Sequence, residues 1–222
     1  GCMPVRSLLT LAHTHHATLT EYLTAQLLLS IRETMRLRET GRPVVITIPV
    51  NLRNYFPSGT ARNFFGIINL GYDFSRQEDS IESVIAFIKE QFQKELTAEK
   101  LRERMNELSA LEHNLLTQLV PLIIKDPVLR LANYLAERGI TAAFSNVGKV
   151  AMPLEMARYI DSFHVFTSTN RLQACMCSFG EHCVISFSSP FVSTDIQRAF
   201  FRRLTAEGIA VEVTSNQEQL GF

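Results

Sequence analysis

The stretch VVITIPVNLRNYFPSGTARNFFGIINLGYDF, residues 44–74, contains two apolar segments on either side of a polar loop. The first segment, residues 44–50, is compact and rich in β-branched side chains, and the second, residues 64–74, is longer. The loop between them, residues 51–62, has the turn residues Pro57, Ser58 and Gly59. This pattern predicts two core strands joined by a loop that is rich in Asn and Arg.

A helix is predicted before this stretch. Thr18 and Glu21 have the spacing of a capping box, in which the hydroxyl and the carboxylate each satisfy a free backbone N–H. Gly41 and Pro43 are expected to end the helix. Apolar residues recur between them at helical spacing: Leu19, Tyr22, Leu23, Leu27, Ile31 and Met35.

The pattern from residue 79 to Gly139 predicts three more helices. An apolar stripe lies within residues 81–92, a charged helix is expected from Thr97 to about Thr117, and a third helix is expected after Pro127. The charged residues of this region are typical of a solvated helix face.

The rest of the chain is predicted to be mostly strand. Strands are expected over residues 140–147, 163–169, 172–179, 183–188 and 209–214, and a helix over residues 194–207. The resulting order is neither a regular βαβ alternation nor an all-β pattern. It predicts an α/β (α+β) fold, a mixed β-sheet layered with helices, as a single domain over residues 1–222.

The amino-acid composition argues against nucleic-acid-binding and membrane-spanning proteins. Of 222 residues, 46% are hydrophobic, and 22 Lys and Arg balance 22 Asp and Glu, so no electrostatic footprint for nucleic acid is expected. No apolar run is long enough to span a membrane. Four cysteines in a chain of this length favour a reducing, cytoplasmic location over a disulfide framework. Gly1 is expected to be a residue left by tag removal.

The histidines His13, His15 and His16 suggest a general base, but their spacing argues against it. In a His-His-x-x-x-Asp motif that starts at His15, the aspartate position is occupied by Thr20, and Glu21 comes one residue late. Glu21 already has a role in the predicted cap. We therefore expect these histidines to form a solvated lead-in to the helix.

Three cysteines, Cys175, Cys177 and Cys183, lie close enough in sequence to suggest zinc ligands. Gly180 and Glu181 predict a two-residue hairpin turn that places Cys177 opposite Val184. Because side chains alternate between the faces of a strand, Cys175 and Cys177 are expected on one face and Cys183 on the other. Three thiolates so arranged cannot surround one metal ion, so no metal site is predicted.

Other catalytic motifs are missing from the sequence. It contains neither a Gly-x-Ser-x-Gly elbow nor a glycine-rich phosphate-binding motif. Polar residues nevertheless lie at or just beyond the ends of two predicted strands: the first group includes Asn51, Arg53 and Asn63, and the second includes Ser145 and Asn146. Either these residues contact a ligand, or the asparagine side chains form hydrogen bonds with the backbone of their own loops. The residues alone leave both alternatives open.

The segment Pro49-Val50-Asn51-Leu52-Arg53, with Arg62-Asn63-Phe64-Phe65-Gly66 after it, resembles the start of the second half of condensation-type acyltransferases. The segment Ser145-Asn146-Val147-Gly148 resembles the Ser-Asn-Val stretch of the bacterial alcohol acetyltransferase-like branch and of wax-ester synthases. The order of elements over residues 12–214 is similar as well. The family's Asp-Phe-Gly-type motif is not recognisable between Tyr159 and Thr169. This departure from the family pattern weakens the expectation that an acyl-thioester is bound tightly.

This resemblance implies a two-half enzyme of which the chain is the C-terminal half. The catalytic histidine would lie in a missing N-terminal half, and no catalytic residue is expected in this chain. An acyl-CoA or carrier thioester would be a co-substrate, no cofactor would be tightly bound, and an alcohol or amine would be the acceptor. Ser145 and Asn146 would line the tunnel near the reacting centre. Arg53 and Asn63 would shape the tunnel or bind the donor, or Arg53 would be an internal ion-pair residue that fixes its loop.

Two other arrangements stay open at this stage. The chain could be a non-catalytic interaction module that binds a carrier domain or a partner subunit, which predicts an exposed apolar docking surface. It could also form a homo-oligomer that reproduces the two-half arrangement, as trimeric chloramphenicol acetyltransferase does between its subunits.

Overall fold

The computed structural model describes residues 1–36, 41–113 and 122–216. A six-stranded mixed sheet forms its centre. The strands are β1 (Cys2–Pro4), β2 (Val44–Asn51), β3 (Phe65–Tyr72), β4 (Ala142–Lys149), β5 (Leu172–Phe179) and β6 (His182–Ser188). The described helices are α1 (Val5–Thr14), α2 (Leu19–Thr34), α3 (Ile81–Glu95), α4 (Ala98–His113), α5 (Leu122–Arg138), α6 (Leu154–Ala157) and α7 (Asp195–Ala206). The predicted α/β class, a mixed sheet layered with helices, is confirmed.

The strand order is β1-β6-β5-β4-β2-β3. The three central strands β2, β4 and β5 are parallel, and each outer pairing is antiparallel. Because parallel strands end at the same edge, the loops after β2 and β4 lie at one edge of the sheet. The first polar segment that the sequence singled out begins at this edge, whereas Ser145 and Asn146 lie within β4.

Helices cover one face of the sheet. The central helix of this layer is α2, whose residues from Glu21 to Ile31 are all buried. A helix that is buried on every side must be enclosed by other elements, and α2 contacts β2 as well as α1, α3 and α7. Its N-terminus is fixed by the predicted capping box between Thr18 and Glu21, which the structure confirms.

The β5–β6 hairpin has the predicted register. Phe179 pairs with His182, Ser178 with Cys183, and Cys177 with Val184. Gly180 adopts φ +56°, which suits a two-residue hairpin turn.

The chain termini differ from the prediction. β1 and α1 were not predicted. His13 lies in the last turn of α1, and His15 and His16 lie between α1 and α2. His13 and His16 are exposed, as expected of a solvated lead-in to α2. The strand predicted over residues 209–214 is reduced to one antiparallel bridge between Cys2 and Glu212. Since β1 is only three residues long, it offers this segment little backbone to pair with.

Two predicted elements between β3 and β5 also differ. The helix expected after Pro127 begins at Leu122 and contains that proline. The strand predicted over residues 163–169 does not form, because this segment crosses the face of β5 instead of pairing at an edge. The helix predicted to reach Thr117 is described to His113, and its expected remainder lies outside the described residues.

Candidate functional site on the open face of the sheet

The face of the sheet opposite the helices is here called the open face. Its side chains alternate with the core positions: Thr47, Pro49, Phe65, Ile67, Asn69, Ala143, Ser145, Gln173, Cys175 and Cys177. The part formed by β2, β3 and β4 is half-buried or exposed. Phe65 and Ile67 are 51% and 48% exposed, which is high for large apolar side chains on a sheet. The open face is therefore an incompletely covered surface with apolar and polar parts.

Ser145 lies near the centre of this face. It belongs to β4, which is flanked by strands on both sides, and it pairs in register with Cys175. Its side chain is half-buried. Within residues 1–36, 41–113 and 122–216, no hydrogen bond of the Ser145 hydroxyl is found, so this group can donate to a ligand.

Asn146 points to the other side of β4. Its side-chain amide donates to Thr20 Oγ1 at 2.9 Å, and its Oδ1 accepts from the Gly148 N–H at 2.8 Å. A β-bulge follows in β4, because Asn146 pairs with Met176 and Gly148 pairs with the next residue, Cys177. Gly148 has φ +87°. Ser145 and Asn146, predicted to line one tunnel, thus face opposite sides of the sheet, and Asn146 joins β4 to the start of α2.

The loop after β2 is closed by Arg53. The Arg53 guanidinium donates to the carbonyls of Thr60 and Arg62 at 2.9 and 2.8 Å, and it lies 6.0 Å from the centre of the Phe64 ring. Asn51 Oδ1 accepts from the Arg53 N–H. Of the two interpretations of Arg53, these contacts favour the loop-fixing one, with backbone carbonyls in place of a carboxylate.

Asn63 lies in the same loop and its side chain is exposed. The loop is anchored beneath by Leu52, which is buried and packs under Gly66; a Cβ at Gly66 would come within 3.3 Å of the Leu52 side chain. The structure therefore places Arg53 and Asn63 together in the loop that follows β2, while Ser145 lies on β4.

The segment from α6 to β5 covers the open face at β5. The Cys177 thiol donates to the Phe163 carbonyl at 3.0 Å, and the rings of Phe163 and Phe179 meet edge to face. Burial raises the pKa values of the Cys175 and Cys177 thiols. Both thiols are therefore protonated at neutral pH and are poor nucleophiles.

Cys183 faces away from Cys175 and Cys177, as the alternation predicted, and lies in the core on the helix side. Burial raises the pKa of its thiol to about 12. Among the residues that the structure describes, no group of three or more His, Cys, Asp or Glu side chains could hold a metal ion.

The N-terminal histidines lie at the corner between α1 and α2. His13 is in the last turn of α1, and the His15 ring stacks on Tyr22 with its Nδ1 at 3.9 Å from Glu82. His16 has φ +52°, and its carbonyl accepts from Lys89. These contacts lie on the helix side, whereas Ser145 lies on the open face.

The mixed sheet with one helical layer defines a condensation-domain type of fold, and two solved structures share it. A structure described as the first condensation domain of the CDA synthetase is 16% identical with a TM-score of 0.53, and the match covers 91% of this chain and 42% of that one. A condensation domain that mediates chain release from the enacyloxin polyketide synthase is 12% identical with a TM-score of 0.50, with coverages of 98% and 42%. This chain thus spans less than half the length of the structures it matches.

The family follows from the sequence match. The family model "Alcohol acetyltransferase" matches residues 3–188, which is most of the chain, so the protein belongs to the alcohol acetyltransferase family. The predicted resemblance is confirmed. A search of curated proteins found no significant match. In the described residues, no helix is both long and apolar enough to cross a membrane.

Two features of the site were not predicted from the sequence. The first is the link between Asn146 and Thr20, which are 126 positions apart. The second is the cover over Cys175 and Cys177. A signal for the second existed, because Cys175 and Cys177 were predicted to share one face of their strand and free cysteine is among the most buried residue types.

Proposed function

We propose that this chain is the C-terminal half of an acyltransferase that moves an acyl group from an acyl-CoA or carrier thioester to an alcohol or amine. Family membership supports the reaction class. The observation that carries the proposal is the Ser145 hydroxyl, which is half-buried and available for hydrogen bonding on the open face. In this proposal the catalytic histidine comes from a part of the protein outside this chain.

The reaction needs a base and a stabiliser of negative charge. A histidine that faces the open face would take the proton of the acceptor O–H or N–H as its lone pair attacks the thioester carbonyl. The resulting oxyanion would accept a hydrogen bond from Ser145. When the C–S bond breaks, the thiolate takes the proton back from the histidine. The products are an ester or amide and the free thiol.

The open face would be the surface on which the other half docks. Phe65 and Ile67 are exposed there, and burying them would favour association through the hydrophobic effect. The fraction of the two condensation domains that this chain covers is consistent with a second half of comparable or larger size.

The test uses this chain joined to the residues encoded upstream of it, with acetyl-CoA and a panel of alcohols and amines, and thiol release as the readout. Ser145→Ala is expected to lower kcat by about 10²- to 10³-fold, as removal of one oxyanion donor does. Ser178→Ala is the matched control, because Ser178 is a half-buried serine of the same sheet on the helix side. If the two variants are equally active, Ser145 does not stabilise the oxyanion.

The alternative is a non-catalytic module that binds a carrier domain or partner subunit. The exposed Phe65 and Ile67 side chains would serve docking equally well without chemistry. Two results together would favour this alternative. The upstream residues would lack a His-His-x-x-x-Asp signature, and the extended protein would transfer no acyl group but still bind a carrier domain.

A further inference from the structure

A recess of about 390 Å³ lies on the open face. Thr47 of β2 and Ala143 of β4 pair in register and line it. Ala143 precedes Ser145 by two residues, so the two side chains lie on the same face about 7 Å apart. The recess is thus adjacent to the hydroxyl to which the proposed function assigns the reacting centre.

The loop before β5 supplies most of the polar groups of the recess. Ser168, Thr169, Asn170 and Arg171 line it in succession. The Thr169 hydroxyl accepts from the Arg171 backbone N–H at 3.1 Å, which orders the loop. Hydroxyls and an amide can both donate to and accept from a ligand, whereas the guanidinium can only donate.

Two charged side chains, Glu137 and Arg171, line the recess. Glu137, at the end of α5, lines the recess but already interacts with another group of the chain. Arg171 is half-buried, and within the described ranges no carboxylate lies at ion-pair distance from it. The planar donors of the Arg171 guanidinium suit a carboxylate or phosphate.

We propose that this recess binds the acceptor through an oxyanion group, with Arg171 holding a carboxylate or phosphate and the acceptor's hydroxyl directed toward Ser145. The inference rests on the proposed function for the identity of the ligand as acceptor. The volume lies at the lower end of the range for small-molecule sites, so the acceptor would be a small hydroxylated acid or phosphate ester rather than a long-chain alcohol.

The experiment is a binding titration of the 222-residue chain by two-dimensional amide NMR with three probes. L-lactate carries a hydroxyl and a carboxylate, lactamide is its neutral analogue, and glycerol 1-phosphate carries a phosphate. L-lactate or glycerol 1-phosphate is expected to shift the amides of Thr47, Ala143 and residues 168–171 saturably. Lactamide is expected to bind about tenfold more weakly, the effect of losing one charge-assisted hydrogen bond.

Arg171→Gln is expected to reduce binding of the charged probes to the level of lactamide. Arg158→Gln is the matched control, because Arg158 is an exposed arginine of the same connecting segment that lies over the Tyr159 ring. Tighter binding of glycerol 1-phosphate than of lactate would identify phosphate as the group that is held. Amide spectra of both variants report whether the fold is retained.

The inference would be overturned if neither charged probe bound more tightly than lactamide, if Arg171→Gln left the binding of the charged probes unchanged, or if no probe gave a saturable shift. Since the titration measures binding without catalysis, the two proposals can fail separately. Oxyanion binding without acyl transfer would contradict the proposed function alone. Acyl transfer without oxyanion binding would contradict this inference alone.

Discussion

The two faces of the sheet differ in how far their side chains are buried. On the helix side, Ile46, Phe144 and Ile185 are fully buried among the side chains of the core. On the open face, Phe65 and Ile67 are about half exposed, and Ser145 has no hydrogen-bond partner in the described chain. The difference teaches that one face of the sheet stabilises the fold, whereas the other is available for binding.

The largest expected difference is between Phe144→Ala and Phe65→Ala. Truncation of the fully buried Phe144 is expected to cost about 3–5 kcal/mol of unfolding free energy, because a cavity forms in the core. The same truncation at Phe65 is expected to cost less than about 1 kcal/mol. Urea unfolding of both variants measures the difference. Similar losses would mean that the open face contributes to the core.

The second difference concerns the helix side of the sheet, where the buried Cys183 thiol should make the unfolding free energy depend on pH. Since burial raises the pKa of Cys183 to about 12, the folded thiol keeps its proton above pH 9 while the unfolded thiol loses it. Stability contributed by the protonated thiol is therefore lost as the pH rises. Between pH 8 and 10 this loss amounts to about 1.4 kcal/mol for one such thiol.

Cys183→Ala is expected to flatten the pH dependence over this range, whereas Cys2→Ala should change it much less, because Cys2 is the smallest of the influences that raise the pKa of Cys183. Cys2 is half-buried at the edge strand β1 and makes a suitable control. Unfolding free energies of the two variants at pH 8, 9 and 10 provide the comparison. An identical decline in both would show that Cys183 is not the source.

A smaller difference is expected at the N-terminus of α2. Thr18→Ala removes the cap of the central core helix and should cost about 1 kcal/mol. Thr20→Ala removes only the exposed bond to Asn146 and should cost less than about 0.5 kcal/mol. Thermal unfolding of both variants tests this order. The reverse order would mean that the link to β4, rather than the cap, fixes the helix.

Local patterns in the sequence were sufficient for part of the fold. The register of the β5–β6 hairpin follows from a two-residue turn and the alternation of side chains, and the α2 cap follows from the spacing of Thr18 and Glu21. By contrast, β1 pairs with β6 some 180 residues later in the sequence, and α1 starts after Pro4 without a side-chain cap. Neither β1 nor α1 therefore has a nearby turn or capping pattern from which it could be predicted.

The roles predicted for the candidate site residues stay predictions, but the structure shows where each residue lies. Polar residues were expected at or just beyond the ends of two strands, and the structure places Arg53 and Asn63 in the loop after β2 and Ser145 within β4. The assignment of Asn146 to the same tunnel neglected the alternation that places neighbours of a strand on opposite faces. The carbonyls that bind Arg53 belong to an irregular loop, whose path no sequence period determines.

The central claim is that the open face is completed by a second half that supplies the catalytic histidine. The direct measurement is acyl transfer from acetyl-CoA by this chain alone and by the chain extended with its upstream residues. We predict no transfer by the chain alone, transfer by the extended protein, and no effect of His16→Ala on that activity. Transfer by this chain alone that His16→Ala abolishes would contradict the account, because the base would then lie on the helix side.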